Sequence, residues 1–160
     1  MSTEVIRVDY RNPIHAEYVT FLLNEYAKDP MGAGEPLAPE ILSVLPERLI
    51  EMPTAFSIVV CVDEGPAALA NCFFGFSTFA AQKLVNIHDV VVLSHFRGQG
   101  LSRKLFDEIE KIANENDCCK LTLEVLDKNE SAMSVYRKFG FDQYELDPEA
   151  GKAVFWQKKL

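Results

Sequence analysis

Hydrophobic and polar positions along this chain change period several times, and each change marks an element. Residues 5–10 alternate as in a short strand, with Val5 and Val8 set against Arg7 and Asp9. Asn12-Pro13 reads as a helix cap followed by proline at the first helical position. Ile14, Tyr18, Phe21, Leu22 and Tyr26 then recur at helical spacing, predicting a helix to about Lys28. Residues 29–36, dense in Gly and Pro, form a loop. A second helix is expected over residues 39–52, with Ile41, Leu45 and Leu49 on one side and Pro46 kinking or splitting it. Residues 56–62, 67–79 (with a bend at Gly75) and 85–93 are apolar or β-branched runs separated by short turns, an antiparallel meander. Leu101, Leu105, Ile109, Ile112 and Ala113 restore the helical period. A strand over residues 120–126, a helix over 130–139 closed by Gly140, and a hairpin of 141–146 with 153–159 complete the chain. The order β-α-α-β-β-β-α-β-α-β-β, without internal repeat or linker, predicts one α+β domain over residues 1–160.

Composition narrows the function classes. The chain has 160 residues, 48% of them hydrophobic and 25% charged, an ordinary globular balance. Sixteen Lys and Arg against 24 Asp and Glu leave a net charge of −8. That field repels phosphate backbones and anionic membranes and attracts small cations, so neither nucleic acid nor membrane is expected as a partner. Cys61, Cys72, Cys118 and Cys119 contain no Cys-x-x-Cys pair and bear no zinc-site spacing to His15, His88 or His95. The cysteines are expected to be small buried hydrophobes in a reducing compartment, and no metal is expected. The start of the chain carries Glu4 and no apolar core, unlike a secretory signal. The most apolar stretch, residues 67–79, is interrupted by Asn71, Gly75 and Ser77 and falls short of the ~20 residues of a membrane helix. A cytoplasmic setting is the expectation.

The chemistry concentrates where the third meander strand, ending Val90-Val91-Val92, runs into Arg97-Gly98-Gln99-Gly100-Leu101-Ser102-Arg103 and a helix opens. Free N–H groups at a helix start, backed by the helix dipole, bind anions, and glycines let a pyrophosphate approach the backbone. A P-loop would require Gly-Lys-Ser/Thr, which is absent. A dinucleotide fingerprint would require glycine three residues after Gly100, where Arg103 stands. The remaining reading is the acyl-CoA pyrophosphate loop, Arg/Gln-x-x-Gly-x-Gly/Ala, matched by Arg97 and Gly100, with Ser102 in the last small position. Downstream, residues 129–141 take the form Asn-x-x-Ala-x-x-x-Tyr-x-x-x-Gly-Phe through Asn129, Ala132, Tyr136, Gly140 and Phe141.

With both segments present, the chain resembles the GNAT superfamily of acetyl-CoA-dependent N-acetyltransferases over essentially its whole length. The resemblance implies a central, mostly antiparallel sheet of six to seven strands flanked by four helices, the strands splayed at the cofactor site. It implies acetyl-CoA as cosubstrate, its pantetheine arm along the backbone of Val90, Val91 and Val92 and near Asn129. Its pyrophosphate would lie on the N–H groups of Gly98, Gln99, Gly100, Leu101, Ser102 and Arg103, with charge from Arg97 and Arg103. Tyr136 would protonate the leaving thiolate, a role suited to a phenol that keeps its proton at neutral pH.

Residues 73–79, the run Asn86-Ile87-His88-Asp89, residues 96–100 and the run Leu126-Asp127-Lys128-Asn129 look like the diamine and polyamine (spermidine/spermine-type) acetyltransferases, with their thialysine-type relatives. That branch usually carries Glu-Asp where this chain has His88-Asp89. The likeness implies an acceptor site at His88 and Asp89, with Asp89 attracting a cationic amine and His88, Asp89 or a water chain taking its proton. Glu124, on the next strand, is a reserve base. Adjacent strand residues point to opposite faces, so only one of His88 and Asp89 is expected to meet the amine directly. The expected function is acetyl transfer to a primary amine of a small cationic acceptor by direct attack in a ternary complex. Two alternatives are a protein amine as acceptor and a catalytically silent CoA-binding module. Many relatives are dimers, so a homodimer is compatible with the resemblance.

Overall fold

The computed structural model describes residues 1–144 and 147–160, which divide into two compact units, Met1–Glu124 and Val125–Leu160. The first unit holds β1 (Thr3–Arg7), α1 (Pro13–Lys28), α2 (Pro39–Ile50), β2 (Ala55–Val62), β3 (Gly65–Ser77), β4 (Gln82–Val92), α3 (Leu101–Glu115) and β5 (Leu121–Leu123). The second holds α4 (Glu130–Lys138) and a single 3₁₀ turn at Pro148–Ala150.

The five strands form one sheet in the order β1-β2-β3-β4-β5. The first four pair antiparallel in sequence, as their short connections require. β5 returns parallel to β4 through the α3 crossover. Both faces of the central strands are covered. Val19 and Leu22 of α1 pack with Val59, Cys61, Leu69 and Val91 on one face. α3 packs against the same strands, and the alternate residues Ile58, Val60, Ala68 and Ala70 are also fully buried. Two-sided burial explains why β2 and β3 read as continuous apolar runs rather than alternating ones.

Local chemistry sets the helix ends. The Asn12 side chain accepts hydrogen bonds from the backbone N–H groups of Ile14 and His15, capping α1. α2 runs continuously through Pro46 rather than splitting there. β3 is continuous through Gly75, and its register against β4 shifts between Asn71 and Cys72. Cys61 and Cys72 are buried as expected, whereas Cys118 is half-buried and Cys119 exposed.

Among the described residues the strand count is five, not six to seven. The strand expected over 120–126 is confined to Leu121–Leu123. Residues 141–144 and 151–160 are not strand, and the last two residues of the expected strand 141–146 lie outside the described residues. Strand formation depends on a partner supplying N–H and C=O groups, which an apolar period cannot specify. Accordingly Val154, Phe155 and Trp156 keep most of their surface exposed. Among the described residues, no helix is long and apolar enough to cross a membrane.

Candidate active site

A single inserted residue in β4 shapes one side of the candidate site. Asn71 of β3 faces Asp89, and the next residue, Cys72, faces Ile87, which leaves His88 as the extra residue of a β-bulge. Without the insertion His88 and Asp89 would point to opposite faces. With it, both border one cavity of about 530 Å³. Simple strand alternation would not bring the two residues to the same cavity. The His88 ring stands edge-on to Phe73, perpendicular to it, with centroids 5.5 Å apart. The cavity continues past Leu23, Tyr26, Leu37, Ile41 and Leu45, and the start of the 29–39 loop contributes Met31 and Ala33.

Asp89 ends a row of polar groups that runs across three strands. Ser57, Asn71 and Asp89 are direct cross-strand neighbours. The Asn71 amide donates to Asp89 Oδ2 at 3.0 Å, and the Ser57 hydroxyl donates to Asn71 Oδ1 at 2.6 Å. Tyr10 Oη lies 2.7 Å from Ser57 Oγ, and because Ser57 gives its one proton to Asn71, Tyr10 is the donor. Every proton in the row thus points toward Asp89. Ser57 and Asn71 are only 2% and 5% exposed, so a missing partner here would be costly. Nearby, burial and then the Asp89 charge push the Cys72 thiol well above its ordinary range. Burial, Asp89 and Asp29 together raise the Tyr26 phenol, so it stays protonated at neutral pH.

Sequence reasoning missed Ser57 and Asn71 as site residues. The available signal was a lone polar residue inside each of two apolar strands, which marks a buried hydrogen-bonding duty. Asn71→Ala is expected to lower the free energy of unfolding by about 1–3 kcal/mol, the cost of stranding buried polar groups. Urea denaturation followed by circular dichroism measures it.

The glycine loop follows the C-terminal end of β4, a few residues beyond the bulge. Gly98 and Gly100 both adopt left-handed backbone (φ +78°), and no side chain caps α3. A Cβ added at either glycine would meet nothing within 4 Å, so the loop presents an open backbone surface. Arg97 turns its guanidinium back into the fold, with Nη2 3.0 Å from Asp29 Oδ2 and Nε donating to Val92 O at 3.2 Å. The Met31 N–H and then Arg97 hold the Asp29 carboxyl below the usual range. Arg103 pairs with Asp107 at 3.1 Å on the helix surface. The parallel ladder of β4 with β5 covers only Val85–Ile87 and Leu121–Leu123. Val90, Val91 and Val92 pair with β3 but lie beyond that ladder. Glu124 is exposed just after β5 and is not among the residues lining the His88–Asp89 cavity.

In the second unit, Asn129 caps α4, its Oδ1 accepting from the Ala132 N–H at 3.2 Å. Gly140, at φ +92°, ends the helix. The Gly140 N–H donates to Arg137 O and the Phe141 N–H to Tyr136 O, a Schellman stop in which the Phe141 and Tyr136 rings meet at 6.1 Å. The Tyr-x-x-x-Gly-Phe spacing is thus the signature of this helix end, and it orients a half-buried Tyr136. Among the described residues, no cluster of His, Cys, Asp and Glu could hold a metal ion.

Meander, crossover helix and uncapped glycine loop define an acyltransferase-type fold, and the sequence of the chain agrees. It belongs to the acetyltransferase (GNAT) family, whose sequence model matches residues 19–141. Among characterised proteins, it is 26% identical to a thialysine N-epsilon-acetyltransferase of Caenorhabditis elegans, over 78% of this chain and 75% of that protein. It is 32% identical to the Bos taurus thialysine N-epsilon-acetyltransferase over 42% of this chain, a match that spans only 39% of the bovine protein. Among solved structures, AAC(6')-Iy in complex with the bisubstrate analog CoA-S-monomethyl-acetylneamine superposes with a TM-score of 0.79 at 14% identity, covering 100% of both chains. A probable acetyltransferase gives a TM-score of 0.82 at 16% identity, covering 98% of each. At these identities the structural likeness establishes the fold.

Proposed function

We propose that this chain transfers the acetyl group of acetyl-CoA to a primary amine of a small cationic acceptor, by direct attack in a ternary complex. The observation that carries the reading is the start of α3, where two left-handed glycines present an uncapped run of N–H groups on an open surface. The N–H groups of residues 98–103 bind the pyrophosphate. Arg97, already engaged by Asp29, braces the loop rather than contributing a free charge. The backbone of Val90, Val91 and Val92 pairs with the pantetheine arm, and the N–H near Val90 polarises the thioester carbonyl. Asn129, whose oxygen is committed to the cap, contributes its amide N–H.

His88 and Asp89 divide the work at the acceptor. Asp89 receives the hydrogen-bond row from Tyr10, Ser57 and Asn71, which holds its carboxylate in place to anchor an ammonium. His88, on the bulge beside it, accepts the proton that the amine must lose before it attacks, directly or through water. The amine nitrogen forms the new C–N bond to the carbonyl carbon, the C–S bond breaks, and Tyr136 protonates the departing thiolate. The products are the N-acetylated amine and CoA. Glu124 is the reserve base. The thialysine acetyltransferase names of the worm and bovine relatives support a small amine as acceptor. The family match, unbroken from residue 19 to 141, supports reading residues 1–160 as one domain. Four free thiols support a cytoplasmic setting.

Gly100→Val tests the cofactor half. The substitution adds a branched side chain where the backbone must meet the pyrophosphate, at a φ that valine resists. Acetyl-CoA affinity by calorimetry is expected to fall at least tenfold, about 1.4 kcal/mol, with circular dichroism reporting the fold. An unchanged affinity would remove the pyrophosphate assignment.

A further inference from the structure

The walls of the acceptor cavity carry information that its catalytic end does not. The cavity, about 530 Å³, is the size of a small-molecule site. Its polar groups gather at the β-bulge: Asp89, His88 and the amide of Asn71. Asp89 is the one carboxylate among the lining residues. One of its oxygens already accepts from Asn71, which leaves the other for an ammonium. The Tyr26 phenol lies within reach of the Asp89 charge, and the remaining wall is apolar, from Leu23 of α1 through Leu37 to Ile41 and Leu45 of α2, with Phe73 closing the sheet side.

The helix on the far wall is under-covered for its composition. α2 carries a regular apolar side, yet none of its residues is buried, and Ile41 is 50% exposed. An amphipathic helix ordinarily buries that side against protein. Here the side borders the cavity, so an apolar occupant would complete its burial. A second ammonium placed against Leu37, Ile41 and Leu45 would lose water and find no carboxylate in the lining.

We propose that the preferred acceptor is a primary monoamine on an apolar body. Its ammonium sits on Asp89 beside His88, and its hydrocarbon or aromatic portion lies against α2 and Phe73. This inference rests on the acetyltransferase reading above and deepens it. It separates this chain from acceptors that carry positive charge along their length.

Matched acceptors test it. Hexylamine and 1,6-diaminohexane share a carbon chain and differ by one terminal ammonium. Acetyl-CoA turnover, followed by thiol release with each and with spermidine, is expected to give hexylamine a kcat/KM at least tenfold above the two polyamines. Leu45→Glu, which sets a carboxylate in the apolar wall, is expected to reverse the hexylamine-to-diamine preference while acetyl-CoA affinity by calorimetry stays unchanged. Wild-type preference for spermidine or the diamine would overturn the inference and leave the acetyltransferase reading standing. Turnover of no amine, with acetyl-CoA still bound, would overturn both. A dimer in sedimentation that Leu45→Glu dissociates without altering acceptor preference would also overturn it, by assigning the α2 wall to a second copy of the chain.

Discussion

Tyr136→Phe is expected to reduce turnover by about 10²-fold, the loss typical of removing a positioned general acid. The substitution deletes one hydroxyl and conserves the ring, so the contact with Phe141 that accompanies the α4 stop is kept. The backbone bonds of that stop, from Gly140 and Phe141 to Arg137 O and Tyr136 O, do not involve the hydroxyl. Acetyl-CoA affinity and thermal stability should therefore stay near wild type, which makes the variant a clean test of the acid. Single-turnover kinetics isolate thiolate departure from product release. If the chemical step runs at the wild-type rate, water or another group protonates the sulfur, and Tyr136 is a structural residue of the helix end.

His88→Gln and Asp89→Asn are expected to fail in different ways. The first removes the proton acceptor and keeps a polar side chain on the bulge. It should lower kcat by about 10²-fold or more. The second substitution conserves shape and can still accept from Asn71, but removes the charge that anchors the ammonium. It should raise KM for the amine more than it lowers kcat. Steady-state kinetics of the two variants, resolved into kcat and KM, decide the assignment. A loss confined to KM in His88→Gln and to kcat in Asp89→Asn would exchange the two roles.

Much of this molecule was readable in advance where the cause is local. Asn12-Pro13 capped α1 and Gly140 ended α4 as their residue types require, whereas the Asn129 cap of α4 emerged only in the structure. The apolar runs of β2, β3 and β4 and their short turns led directly to the antiparallel meander. The turn at Gly98 and Gly100 was legible because its glycines occupy backbone that other residues resist. In each case the signal lies within a few residues of the structure it specifies.

The features that needed the tertiary structure are those in which distant segments meet. Nothing local in 141–146 or 153–159 could say whether a partner strand would be present, and the expected hairpin is not seen among the described residues. Arg97 reads as a free charge beside the anion loop until Asp29, 68 positions away, is found against it. Ser57, Asn71 and Asp89 come into line only once β2, β3 and β4 pair in one register. The bulge at His88 is the sharpest case. Strand alternation alone sends His88 and Asp89 to opposite faces, and only the pairing of β3 with β4 inserts the extra residue that brings both to one cavity. By itself, then, the sequence determined the helices, the meander strands and the glycine loop, because these follow from short-range sterics and hydrogen bonding. Strand register, the hydrogen-bond row and the apolar wall of the cavity were decided by tertiary structure, because each depends on which distant residues become neighbours.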